Sequence, residues 1–289
     1  MKTQSPDTSL DAEAVLIELI RKASIGKRFN LVRSMTKQTI WANMHCWQES
    51  HPKASEQDAA IRFVSFNYGS VLAAQLQTVL EKREQQWHGE PADLVTVMNP
   101  AIAVFEQLAI PYYLAGSVAS SLHGMQQVAQ DVDLVADLHD QHLDTLISLL
   151  QHAYVVNEHM VHKAMVQRTS FPAIHLDSLM KVDVILPKPR PFDEQMRQLI
   201  VRYTLDEASL PFPLASAYEM IVFKLDRYYQ DEQSRTDGMV DDAEWNDILG
   251  MLKVQGPNLD LTVLEHWAKT LNMTDAFVRA LADAGLRDQ

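Results

Sequence analysis

Three short stretches of this 289-residue chain carry side chains whose types and spacing suit phosphate and metal chemistry. The first is Asp131-Val132-Asp133. On an extended strand, residues two apart share a face, so the two carboxylates converge while Val132 and Leu134 enter the core. Carboxylates on one face repel unless a cation lies between them, and all-oxygen ligands suit Mg²⁺. A half-exposed strand with an acidic outer face is the other reading of the same residues. The second stretch is Lys181-Val182-Asp183-Val184-Ile185-Leu186, with one carboxylate in an apolar run. An acid buried without a partner is costly, so Asp183 either ends a strand at the surface or joins the other two acids at a metal. The third is Ala115-Gly116-Ser117, which reads as a strand-to-helix turn. Gly116 lets a ligand approach the backbone, and the N-terminus of the helix behind it suits a phosphate. The same Gly-Ser step also occurs as a turn and nothing more.

The elements that must hold these residues follow from apolar periodicity. Tyr112 to Ala115 reads as a buried strand stopping at Gly116, and Ser117 to His123 as a helix closed by Gly124. Asp131 to Ala136 reads as a strand, His139 to His152 as a helix, and Phe171 to Leu176 and Met180 to Leu186 as two further strands. Asn99 followed by Pro100 reads as a helix start, an N-cap and then proline at the first helical position. Before this segment, Leu10 to Ala23 and Phe29 to Gln48 have helical spacing. Ser55 with Asp58 forms a capping box that opens a third helix through Phe63, Phe66, Leu72 and Leu76. After it, Ala215 to Tyr229, Asp241 to Val254, Leu261 to Leu271 and Asp275 to Ala284 read as amphipathic helices. With Trp87 to Pro91 as the boundary, the expected organisation is a helical N-terminal region over 1–90, a small mixed-sheet α+β core over 91–212 and a C-terminal helical bundle over 213–289.

Composition limits the classes of function. At roughly 150 residues per domain the length predicts about two domains. With 47% hydrophobic residues the chain is globular rather than disordered, and nine glycines and twelve prolines exclude collagen-like architecture. The longest apolar runs fall far short of the ~20 residues that span a bilayer, and the polar N-terminus lacks an apolar signal region. One cysteine, Cys46, excludes an internal disulfide framework and a multi-cysteine zinc site. A cytoplasmic protein with no membrane partner is the expectation. The net charge of −13 argues against sequence-blind nucleic-acid binding by the whole surface.

The order of Gly-Ser turn, Asp-x-Asp strand and later lone aspartate is more specific than any one member. Tyr112 to Gly124, followed by Asp131-Val132-Asp133-Leu134-Val135 and then Lys181-Val182-Asp183, resembles the nucleotidyltransferase superfamily with the polymerase-beta-type core. Within it the likeness is to bacterial AbiEii-like proteins, which include toxins of type IV toxin–antitoxin systems. It extends through Glu219 to Leu225 and Glu244 to Gly250, and covers roughly Asn99 to Ala284. The resemblance implies Mg²⁺-dependent transfer of a nucleoside monophosphate from an NTP to a hydroxyl of a macromolecule, tRNA or protein. It implies that Asp131, Asp133 and Asp183 hold two Mg²⁺ ions, that Gly116 and Ser117 grip the β and γ phosphates, and that Lys224 faces phosphate charge. Asp183 takes a second role as acceptor of the acceptor hydroxyl's proton. On an amphipathic helix, Lys224 also reads as a snorkelling lysine. Such proteins commonly carry an arginine and a threonine or serine before the Asp-x-Asp pair, where this chain has Gln126-Gln127-Val128-Ala129-Gln130. The alternative function is therefore a nucleotidyltransferase-fold protein that binds nucleotide or a partner without turnover.

Three other groups remain. His159, His162 and His175 form an incomplete zinc set and read better as surface histidines. Cys46, among Trp41, Met44 and Trp47, reads as a buried packing residue. Arg21, Lys22, Lys27, Arg28, Arg33 and Lys37 form a basic run with no acid between Arg21 and Gln48. It reads either as the solvated face of two helices or as a contact for RNA, an antitoxin or a second copy of the chain. Tyr228 and Tyr229 read as core aromatics or as a stacking platform for a base.

Overall fold

The computed structural model describes residues 2–82, 93–204, 212–234 and 242–286; the boundary expected at Trp87 to Pro91 lies outside them. The fold is α+β. Two compact units are assembled from non-contiguous stretches of chain, one from Val32–Ser117 and Gln127–Pro189, the other from Met1–Leu31, Val118–Gln126 and Arg190–Gln289.

The first of these units holds the acidic strands. Its sheet contains β1 (Tyr112–Ala115), β2 (Asp131–Ala136), β3 (Tyr154–Val156), β4 (Ser170–His175) and β5 (Lys181–Ile185), in the order β3-β4-β5-β2-β1. It is mixed: β2 runs parallel to β5, while the β1–β2, β3–β4 and β4–β5 pairs are antiparallel. Burial alternates along β5 and over the first four residues of β2 as a two-residue period requires, before Val135 and Ala136 are both buried. Val132, Leu134, Val182 and Val184 are buried, and Asp131, Asp133, Lys181 and Asp183 lie on the half-buried face.

Helices of this unit depart from the expected bounds in three places. Ser55 and Asp58 do form a capping box, but the helix they open, α3 (Glu56–Tyr68), stops at Gly69. Its φ of 95° lies outside helical space, and α4 (Ser70–Lys82) starts afresh. The helix expected to start at Asn99 begins earlier, as α5 (Leu94–Gln107), capped by the Asp93 carboxylate on the Val95 N–H, and Pro100 lies inside it. Proline removes a donor and crowds the preceding turn. Here the buried Tyr154 hydroxyl enters the ladder, donating to the Val97 carbonyl and accepting from the Ala101 N–H at 3.1 Å. A side chain inserted in this way re-satisfies groups that the proline separates. Finally, the expected helix over His139 to His152 divides into a 3₁₀ turn at Asp140–His142 and α7 (Leu143–Leu150).

The other unit is mainly helical. It contains α1 (Leu10–Lys22), α9 (Pro191–Arg197), α10 (Ala217–Ser234), α11 (Asp242–Gln255), α12 (Leu261–Thr270) and α13 (Thr274–Ala284), with the antiparallel pair β6 (Val201–Tyr203) and β7 (Phe212–Leu214). Helix α11 packs against α1, α10 and α13. Ile248, Leu249, Leu252, Phe277 and Leu281 are buried there. Among the described residues no helix is long and apolar enough to cross a membrane.

Candidate active site

Strand pairing alone gathers the acids. In the parallel β2–β5 pair, Asp131 lies opposite Lys181 and Asp133 opposite Asp183. On the other side, Ala115 at the end of β1 lies opposite Asp133, so Gly116 starts α6 (Gly116–His123) beside that carboxylate. Gly116 has φ 62°, and a Cβ built on it would lie 1.6 Å from Asp133 Oδ2. Glycine is thus required twice, for the left-handed backbone and for the close approach. Gly116 and Ser117 belong to the sheet unit with all three aspartates.

Lys181, which carries no role in the resemblance, stands in the middle of this group. Its Nζ is 2.9 Å from Asp131 Oδ2 and 2.5 Å from Asp183 Oδ2. The side chains of Lys181, Asp131 and Asp183 are 18%, 27% and 19% exposed, so water reaches the group. Burial disfavours the charge on both partners. For Asp183 burial outweighs the lysine, and its pKa lies above the usual carboxylate value. For Lys181 the two carboxylates outweigh burial and raise its pKa.

A helix from the first ninety residues completes the surroundings. Tyr68, the last residue of α3, places its ring 5.7 Å from Lys181 Nζ. Its hydroxyl donates to the Gln130 carbonyl at 2.8 Å and accepts from the Lys181 N–H at 3.4 Å, bracing the starts of β2 and β5 together. Burial pushes the phenol pKa up, which keeps it a donor. The segment that lacks the arginine and the hydroxyl of the resemblance is braced from the long helix α2 (Ile25–Ser50): the buried Thr36 Oγ1 accepts the Ala129 N–H at 2.9 Å. Neither Tyr68 nor Thr36 lies in any local pattern that marks it. The signal available for Lys181 was its spacing of two from Asp183 on a strand.

Lys224, on α10, lies in the helical unit, where its Nζ is 2.8 Å from Asp247 Oδ2 and 3.8 Å from Glu244 Oε1. Arg227 Nε joins Glu244 at 3.2 Å, and Ser120 donates to Asp247 at 3.3 Å. The three arginines of the basic run are also engaged within the chain. Arg21 bonds the Lys253 and Val254 carbonyls, the buried Arg28 bonds the Ile20 and Leu122 carbonyls, and Arg33 forks onto Asp93. Lys22, Lys27 and Lys37 are exposed.

Tyr228 is a core aromatic against Trp245. His159 and His162 lie exposed on α8 (Glu158–Gln167), whereas His175 is buried and paired with Ser178 Oγ at 2.9 Å. Cys46 is exposed, contrary to the buried role expected from its aromatic neighbours. The tryptophan rings instead stack on histidines four residues further on, Trp41 on His45 within α2 and Trp47 on His51 just past its end.

Among the described residues, no three His, Cys, Asp or Glu side chains are gathered closely enough to hold a metal ion as they stand. The chemistry of the aspartate group nonetheless fits a hard divalent cation. Its donors are carboxylates from paired register positions, and two of them already share a stand-in cation, the Lys181 ammonium.

The sequence matches no protein-family model and no curated protein. Among solved structures, the chain is similar to the antibiotic-resistance factor ANT(2″)-Ia in solution, at 15% identity and TM-score 0.39 over 64% of this chain and 94% of that one. It is similar to the same factor in complex with adenylyl-2″-tobramycin, at 14% identity and TM-score 0.40 over 62% and 96%. An antigenic nucleotidyltransferase-like protein from Paracoccidioides brasiliensis aligns at 16% identity and TM-score 0.39 over 65% and 92%.

Proposed function

We propose that the chain is a nucleotidyltransferase with a polymerase-beta-type core, transferring a nucleoside monophosphate from an NTP to a hydroxyl of tRNA or protein. The observation that carries this reading is the register of β1, β2 and β5, which sets Asp133 against the Gly116 turn and pairs it with Asp183, with Asp131 two residues away on the same face of β2. Asp131, Asp133 and Asp183 would hold Mg²⁺, two ions by the resemblance, which neutralises triphosphate charge and acidifies the acceptor hydroxyl. The Gly116-Ser117 turn receives the β and γ phosphates on backbone N–H groups at the start of α6. The acceptor oxygen forms its bond to the α phosphorus, the bond to the pyrophosphate oxygen breaks, and the hydroxyl proton passes to the Asp183 carboxylate. Lys224 we assign to the helical unit's ion-pair network rather than to phosphate. By the resemblance, the proposal extends to a toxin role with an antitoxin partner in the cytoplasm; a second copy of the chain is another partner to test.

Two observations favour a second reading, binding without turnover. Gln126 to Gln130 carries no cation, and Lys181 stands across two of the three acids. One experiment separates the two. The chain is incubated with Mg²⁺ and each α-labelled NTP, first with total tRNA and then with protein extract, beside an Asp131→Ala, Asp133→Ala double variant. Transfer by the native chain, reduced at least ~100-fold in the variant, supports the enzyme. Mg²⁺-dependent nucleotide binding without transfer supports the second reading, and absence of binding removes both.

A further inference from the structure

We infer that Lys181 is a built-in counter-cation of the acidic site, which a divalent ion must displace, so that this lysine sets the site's metal affinity. The inference rests on the reading of Asp131, Asp133 and Asp183 as metal ligands and adds a residue to which that reading gives no role. Three observations carry it.

Placement comes first. Lys181 is opposite Asp131 in the parallel ladder and two residues before Asp183 on its own strand, so all three side chains issue from one face. Position between the two acids is therefore built into the strand register and is not a chance surface contact. Contact comes second: one ammonium lies within hydrogen-bond distance of an oxygen of each acid, which is the arrangement a bridging cation would take. Support comes third. Tyr68 presents its ring to the ammonium and its hydroxyl to the Lys181 backbone N–H, so the lysine is held at both ends. The partial exposure of all three side chains leaves room for the ammonium to move into water, which a sealed pair would not permit.

An internal cation that occupies the acids lowers their apparent affinity for an external one by mass action. Losing it therefore tightens metal binding, while charge-preserving replacement does not. The test titrates the full chain with Mn²⁺, reading free Mn²⁺ by electron paramagnetic resonance, for wild type, Lys181→Met, Lys181→Arg and Asp131→Asn. Lys181→Met is expected to bind Mn²⁺ on the order of tenfold more tightly than wild type. Lys181→Arg is expected to stay near wild type, and Asp131→Asn to bind more weakly than either. A second measurement needs no variant. In the wild-type chain, acetylation of Lys181 by an amine-acylating reagent, followed by mass spectrometry, should rise several-fold when Mg²⁺ saturates the site. Equal Mn²⁺ affinity in Lys181→Met and wild type, or Lys181 labelling unchanged by bound metal, overturns the counter-cation while leaving the metal site intact. Failure of Mn²⁺ to bind wild type and Lys181→Met alike overturns both.

Discussion

Among the described residues, Lys181 and Lys224 each stand between two acids, and their settings are opposite. Lys224 bridges Asp247 and Glu244 between α10 and α11, with side-chain exposures of 10%, 11% and 5%. Lys181 bridges Asp131 and Asp183 between β2 and β5, with each member about a fifth to a quarter exposed. In the first, helix packing closes over the charges. In the second, a strand pair leaves one face half open, and the charges remain within reach of water and ligands. Removing one partner of a buried pair strands a charge, whereas an open pair is worth little to folding. The same local chemistry therefore serves cohesion in the helical unit and is available for exchange in the sheet unit.

That contrast breaks most readily at Lys224. Lys224→Met should destabilise the chain by about 3–5 kcal/mol in urea unfolding, because Asp247 and Glu244 lose their shared cation. A loss under 1 kcal/mol would show that the helical cluster is as open as the sheet cluster. His123, also in the helical unit, sharpens the comparison through pH. Burial lowers its pKa to about 4, while its Nε2 bonds the Ala215 carbonyl at 2.7 Å. The unfolded chain takes up this proton near pH 6.5, so stability is full above that value and is lost as pH falls toward 4. Between pH 7 and pH 5 the loss from this one group should be about 2 kcal/mol, and His123→Gln should flatten that part of the profile. The smallest effect is expected at the open site. Lys181→Met should change stability by only about 1 kcal/mol in the absence of metal, measured by the same urea titration. A loss as large as that of Lys224→Met would make Lys181 a folding residue first.

How much was legible in advance depended on the range of the interactions. The β2 strand, the Gly116 turn and the shared face of Asp131 and Asp133 were readable because a two-residue period and a helix start are local signals, whereas Asp183 on its own strand left two readings open. The capping box at Ser55 was readable for the same reason, since both halves lie within one turn. The start of α5 was misplaced because Asn99-Pro100 has the local form of a cap, while the hydroxyl that lets Pro100 sit inside a helix comes from Tyr154, on strand β3. Cys46 was misplaced because its aromatic neighbours stack on histidines four residues further on, Trp41 on His45 within α2 and Trp47 on His51 just past its end, and the thiol is exposed. The short strand β3 has three residues and no turn signal of its own, so its pairing with β4 emerges only in the sheet.

Residue order therefore carries the acids, the glycine that must lie against them and the alternation that puts Asp131 and Asp133 on one face. Tertiary pairing assigns their neighbours. The parallel register of β2 with β5 sets Lys181 against Asp131, and α3 brings Tyr68 more than a hundred residues along the chain to support it. Those contacts join segments distant in sequence, where no local periodicity specifies which side chain meets which. Packing alone determines whether a lysine between two acids is closed in, as at Lys224, or left open to exchange, as at Lys181.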